Sequence, residues 1–431
     1  MVLACGCATA ISGSADNITR LEQARASNPS AEVQRSLGIA YFKANRLADA
    51  RATLQRAVSM APSDGVAALY LGLTAEAQND FPAARAAYDS YLKVGKTRSV
   101  KNQIAERLTV IARKEHAAAA KQAVAQEQQL SSVPGSPRAV AVMPFSFTGS
   151  DTSLRPLERG FAELVATDLS RSAQLTVLER DRLQALLAEM NLQQGGVAAG
   201  TGVRVGKILQ AGRLVGGNIA QLGPNQLRAS AFVTNVQSTQ TEGAGANDQQ
   251  SLDQVFTLEK NIVLRLFADM NITLTTAERN AIEQRATRSL AAFLAYSRGL
   301  EAEDASRFDD AARFYDNAVR LDPGFRSAQQ RSQEVKSIVA GGVVTAATVE
   351  SGLRGTSEGQ SAVGSSQAAN VGSNTAITTA EGLNPSVTGA ATGAGTSLTP
   401  QPMKDPSSAT GADNVATKTA KVTIVIHQPK P

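Results

Sequence analysis

"LTVLERDRLQALLAEMNLQQGG" (residues 175–196) sets four charges, Glu179, Arg180, Asp181 and Arg182, between a short apolar run and an amphipathic one. The order strand, charged turn, helix accounts for them. Asp181 is placed to cap the helix by accepting from its first free amides. Arg182 and Glu189 fall on the solvent side, while Leu183, Leu186, Leu187 and Met190 face inward. An acid/base site is the competing reading, but no pocket partner for the carboxylates is visible in the sequence.

Around that stretch the periodicity is that of an α/β domain. "AVAVMPF" from Ala139 reads as a buried strand, 156–172 as a helix, "QLTVLE" as a second strand, 181–193 as a helix and 203–211 as another. "GRLVGGNIAQLGPNQLRASAFVTNVQ" then gives two strands joined by a Gly-Pro-Asn turn. Residues 251–270 form an amphipathic helix whose apolar side chains, Val255, Phe256, Leu258, Ile262, Val263, Leu266 and Phe267, spread wider than one stripe and leave some for a neighbour. Strands alternating with helices ahead of a hairpin imply a layered α/β sheet.

Upstream lies a repeat of 34 residues. A frame from Ala31 puts Leu37, Gly38, Tyr41, Ala50, Leu54, Ala57 and Pro62 at the positions of a tetratricopeptide repeat, and the next, from Gly65, supplies Leu71, Gly72, Ala75, Ala84, Tyr88 and Tyr91. Downstream, Gly299, Ala311, Tyr315, Ala318 and Pro323 fit the same frame once more. A single repeat cannot bury its face alone, so this one must lean on what precedes it. In this geometry Glu32, Arg35, Ile39, Phe42 and Lys43, with Leu69, Leu73 and Glu76, line the concave side, where an extended or helical protein segment would dock. Phe42 and Leu73 could instead pack on a preceding helix around Ile18 and Leu21.

Composition narrows the function classes. Aromatics make up 4% of the 431 residues and Trp is absent, and a net charge of +5 is spread among acidic neighbours, so nucleic-acid binding is not indicated. The two histidines, His116 and His427, lie far apart and provide no triad or zinc site. "GGVAAGTGVRVGKI" is not a phosphate loop, because Thr201 stands where Gly is needed and Ile208 where Ser or Thr is. No catalytic, cofactor-binding or metal-binding residues are expected. Both cysteines, Cys5 and Cys7, sit in "MVLACGC", which looks like the end of a lipoprotein signal with Cys5 as the lipid acceptor. On that reading the rest of the signal lies upstream of Met1.

"AVAVMPFSFTG", a helix, "LTVLERDRLQALLAEMNLQQGG" and "AGRLVGGNIAQLG" together resemble the periplasmic domain of the CsgG family of curli-secretion lipoproteins over roughly residues 138–275. The resemblance implies an envelope lipoprotein whose α/β domain packs against copies of itself or against partners. Channel-forming members contribute two amphipathic hairpins per subunit. Here only 213–240 is hairpin-like, Gly216, Gly217 and Asn218 interrupt its first strand, and "TQTEGAGANDQQ" stands where a further strand is needed.

The expected class is a multidomain α+β chain. Residues 1–14 are the anchor remnant, 15–130 a repeat module ending in a capping helix that becomes a solvated spacer, and 131–138 a linker. The CsgG-like domain with its mixed sheet spans 139–277 and a repeat-like helical hairpin 278–339. A low-complexity disordered tail runs over 340–431 with a terminal strand at 421–427. The expected function is that of a non-enzymatic periplasmic scaffold, held at the outer membrane by the acyl chain, self-associating and binding proteins through its repeats. A subunit of an oligomeric outer-membrane secretion channel is the alternative.

Overall fold

In each repeat a glycine marks the point where two helices cross too closely for a side chain. A computed structural model of the chain describes residues 6–192 and 199–364. There α1 (Gly6–Ser27) precedes two helix pairs, α2 (Ala31–Lys43) with α3 (Leu47–Met60) and α4 (Gly65–Ala77) with α5 (Phe81–Val94). A Cβ on Gly38 would lie 2.5 Å from Leu54 Cγ, and one on Gly72 2.4 Å from Tyr88 Cδ1. Seven residues after each glycine, Asn45 and Asn79 turn the chain at φ of 57° and 59°, a region Asn tolerates better than most. Asp64 and Asp80 cap α4 and α5, and each also receives an arginine from the preceding pair, Arg35 and Arg51, at 2.7 Å.

The downstream repeat copies this geometry. It is built by α13 (Leu290–Asp304), α14 (Phe308–Leu321) and α15 (Arg326–Gly342). A Cβ on Gly299 would lie 2.4 Å from Tyr315 Cε1, and Ser306 turns the chain at φ 57°. The Tyr88 hydroxyl donates to Glu76 at 3.0 Å, and the Tyr315 hydroxyl donates to Glu303 at 2.7 Å, from the same position in the frame. As expected of a lone repeat, it leans on its neighbours: α13 packs on α8 (Leu157–Leu169), and α15 on α6 (Arg98–Ala125).

Between the two repeat regions a six-stranded mixed sheet has the order β3-β1-β4-β5-β6, with β2 also paired to β4. The strands are β1 (Ser136–Val142), β2 (Ser146–Thr148), β3 (Thr176–Val177), β4 (Ala211–Gly223), β5 (Gln226–Asn235) and β6 (Thr241–Ser251). β1, β2, β3 and β4 run parallel; β4, β5 and β6 form an antiparallel meander. Alternation along β1 builds two cores at once. Val140 and Val142 join Phe161 and Val165 of α8 and Ile262 and Leu266 of α11 (Val255–Asp269). Ala141 and Met143 instead face Leu183, Leu186 and Leu187 of α9 (Arg180–Glu189) and Val205 and Ile208 of α10 (Ala199–Ile208). A short α7 (Glu127–Ser132) leads into β1, and α12 (Thr276–Glu283) follows α11 behind a Thr275–Glu278 capping box.

Five expectations need correction, the last of them the charged cluster of the opening stretch. The 28-residue α6 does not become a solvated spacer: its far half buries Ala120 beside α9 and α10, and Ala123 and Val124 pack there too. "TEGAGANDQQS" is a strand, β6, paired along β5. Polar residues and glycines hid it, and Gly243 and Gly245 adopt φ of 71° and 77° where the edge strand bulges. The seven apolar residues named above on α11 are all at most 3% exposed, so none of them is left for a neighbour. The chain from residue 340 does not lose structure at once. It continues as the end of α15, then α16 (Ala346–Leu353) and α17 (Ser357–Gly364). Residues 365–431, including the strand expected at 421–427, lie outside the described residues.

The charged cluster of the opening stretch is structural in a different way from that expected. The N-cap is Glu179, without a side-chain hydrogen bond, and Asp181 sits inside the first turn. Arg180 turns inward, where it pairs with Asp304 and lies 3.7 Å from Glu163. Asp304 also accepts from Arg159 at 2.8 Å. Its neighbour Glu303, 1% exposed in its side chain, meets Arg113 at 3.2 Å and Arg331 at 3.4 Å. Arg331 reaches Asp181 as well, at 3.7 Å. Helices α6, α8, α9, α13 and α15 thus meet at one ionic cluster. Removing one member of a buried set leaves the others uncompensated. Arg180→Ala should therefore lower unfolding free energy by about 3–5 kcal/mol in urea titrations. Arg182→Ala, on the exposed side, should stay within about 0.5 kcal/mol of the parent.

Candidate functional site

The concave side of the repeats is an occupied groove. Of the residues expected there, Phe42, Leu73 and Glu76 line a cleft of about 270 Å³ together with Ile104 and Arg107 of α6. Phe42 packs edge-on against Tyr70, with centroids 5.7 Å apart. Glu76 is held by Arg107 and by the Tyr88 hydroxyl. Ile39 and Leu69 are buried in the helical core, and Glu32 is exposed on the rim, 3.6 Å from Arg35. Ile18 and Leu21 of α1 join the same core. Cys5 lies outside the described residues.

What fills the groove is the chain's own segment after α15. Val344, Val349 and Leu353 are buried in the repeat core. Glu350 accepts from the Tyr70 hydroxyl at 2.8 Å and lies 3.7 Å from Lys43 Nζ. Burial, and then the Glu350 carboxylate, push the Tyr70 hydroxyl far up, so it remains a donor. Arg35 donates to the Ser361 carbonyl at 3.3 Å. At the far end the Glu358 carboxylate accepts from the backbone amides of Lys96 and Thr97, at 2.9 and 2.8 Å, and from the Tyr91 hydroxyl at 3.2 Å. The Thr97 side chain makes no capping bond to α6, so Glu358 supplies an acceptor at that helix start. Sequence reasoning placed Tyr91 only in the repeat frame, and it missed Tyr70 and the two amides as groove contacts. Tyr70 sits one residue from a position already placed on the concave side, but an amide pair leaves no mark in a sequence.

The cluster most like a catalytic one lies elsewhere, between α8 and α11. Lys260 pairs with Asp168 and stands 3.1 Å from Glu259, which is fully buried. Burial first, and then the neighbouring Asp168 carboxylate, push Glu259 up to about 8. Its carboxyl is thereby biased toward the neutral form inside a packed layer. Among the described residues no group of His, Cys, Asp and Glu is arranged to hold a metal, and no helix is long and apolar enough to cross a membrane.

Fold and groove define an α/β domain fused to helical protein-docking repeats. Residues 117–261 match the family described as curli production assembly/transport component CsgG, and residues 15–65 and 36–100 match the tetratricopeptide repeat. No curated protein matches the chain. The chain combines a CsgG-like domain with tetratricopeptide repeats. The first match begins at residue 117, inside α6, which agrees with that helix's place in the α/β core.

Glu259 gives the fold a pH signature. Between its ordinary value near 4.5 and the folded value of about 8, the native chain keeps a proton that the unfolded chain has released. Stability contributed by this group is therefore lost as pH rises through that window. Glu259→Gln removes the titration, so the variant's melting temperature should fall less than the parent's on going from pH 5 to pH 8; parallel curves would refute the assignment.

Proposed function

We propose that the chain is a lipid-anchored periplasmic scaffold at the outer membrane, which self-associates through its CsgG-like domain and presents its repeats to protein partners during cell-envelope assembly or secretion. The observation that carries this reading is the joining of the two modules by one continuous helix, α6. Its first half closes the repeat core at Val100, Ile104 and Ile111, and its second half enters the α/β core at Ala120. A docking event and an assembling domain then share one rigid element. The scaffold is proposed as non-enzymatic, in keeping with a groove that seats a peptide segment.

Self-association is assigned to the open sheet edge rather than to α11. β6 ends the strand order, and beyond its bulge residues 246–251 run in unbroken register along β5, leaving a stretch of edge that can pair with another chain. β5 presents Phe232 and Arg228 on its exposed face. The channel reading is weaker, because β4, β5 and β6 extend the α/β sheet, and the buried face of the meander packs on α11.

Three measurements test the proposal. With a complete signal sequence supplied, the parent should incorporate a fatty-acid probe and Cys5→Ser should not; labelling that persists in the variant removes the anchor at Cys5. The unlipidated full chain should sediment as an oligomer without detergent, and as a smaller species when Gln249→Lys puts a charge on the edge strand. A strictly monomeric parent at high concentration removes the scaffold's assembly, and discrete single-channel steps in a planar bilayer would promote the channel reading.

A further inference from the structure

The segment in the groove has the features of a ligand more than those of a fold element. Gly341 lets the end of α15 pack on the α6 backbone at Glu106, and the segment begins just past it, where Val343 is 71% exposed. Its two helices are eight residues each, too short to persist without a surface to lie on. It buries three sizeable apolar side chains, Val344, Val349 and Leu353, while ordering about twenty residues. It also leaves the groove incompletely filled. The cleft of about 270 Å³ runs between Phe42, Leu73 and Ile104 on one side and Val344, Ala346 and Val349 on the other. Ala346 offers only a methyl group to that space.

What holds the segment is directional. Glu350 and Glu358, eight positions apart, are read at separate places. The first meets a tyrosine hydroxyl and a lysine, the second two backbone amides and another tyrosine hydroxyl. Charge-assisted bonds of this kind fix the register of the bound chain. The groove therefore recognises an acidic amphipathic segment, with carboxylates flanking an apolar anchor at Leu353.

We propose that residues 343–362 are a resident ligand that keeps the repeat groove closed, and that a partner's helical segment with the same two carboxylates, but with a bulkier apolar residue at the place of Ala346, displaces it. This rests on the reading of the repeats as a protein-docking module and names the chemistry of what docks. Tethering holds the resident segment at an effective concentration on the order of millimolar. A competitor must outbind it, and filling the cleft is how it does so.

The probe is a fluorescent peptide of residues 343–364, titrated into the full chain and into a full-chain Leu353→Ala/Glu358→Ala variant whose own segment is weakened. The peptide should bind the variant at least about tenfold more tightly than the parent, as expected when the competent state of the parent is scarce. An Ala346→Leu peptide should bind more tightly still, and a Glu350→Gln/Glu358→Gln peptide more weakly. No binding to a variant that circular dichroism shows to be folded, or equal binding to parent and variant, overturns the proposal. Hydrogen exchange on the parent supplies a second reading that needs no variant. Amides of α16 and α17 should exchange well before those of α6, and faster when the Ala346→Leu peptide is added; protection equal to that of α6 makes the segment a fixed part of the fold. If the peptide instead dissociates the parent's oligomer, the groove's occupant is the same segment of a second copy, and the separate partner is overturned. The scaffold reading is judged apart from this one, by sedimentation of the parent without added peptide.

Discussion

Two adjacent acids near the end of α13, Glu303 and Asp304, hold the parts of the molecule together. Between them they engage arginines from α6, α8, α9 and α15, which come from both repeat regions and from the α/β domain. The acids cannot be left bare, because an unpaired carboxylate this deep costs several kcal/mol, about 3–5 in comparable cases. Each arginine's helix is thereby required to be in place. The apolar cores supply the bulk of the folding energy, but they are non-directional. The ionic cluster fixes which helices approach which, and it explains why the downstream repeat docks on α8 and α6.

The same repeat frame is used for two purposes. In the upstream pair, Glu76 receives Tyr88 and Arg107 and belongs to a groove that seats a peptide segment. In the downstream repeat, Glu303 receives Tyr315 and Arg331 and belongs to an internal joint. Position and chemistry are alike; surroundings differ. A carboxylate in this place can thus either line a binding surface or lock a domain, according to what is packed over it.

Much of this was legible in the sequence because it rests on local rules. The glycines at 38, 72 and 299 and the period-34 frame gave the repeats, and a short apolar run and a Gly-Pro-Asn hairpin gave β1, β4 and β5. β6 was not legible, because an edge strand with one buried residue, Ala246, carries almost no hydrophobic pattern, and its pairing is made by backbone. Nor was the occupancy of the groove. Its concave lining follows from the repeat frame, but the segment from 343 looks compositionally like the tail that follows it, and its place is set by three apolar residues and two acids far from the surface they meet. Arg180 shows the remaining gap: a sequence announces a charge, and only the fold decides whether it faces water or an acid 124 positions away.

That separation in sequence also orders events in time. Tyr70 and the Glu350 it contacts are 280 positions apart, and Arg113 and Glu303 are 190 apart. Contacts of such range form late, since a long loop must be closed before they give any return. A chain emerging from its N-terminus therefore completes its first two repeats while the groove is still bare and Arg113 still uncompensated. Until the last third of the chain arrives, the nascent molecule lacks the segment that covers the Tyr70 and Tyr91 hydroxyls and the amides of Lys96 and Thr97.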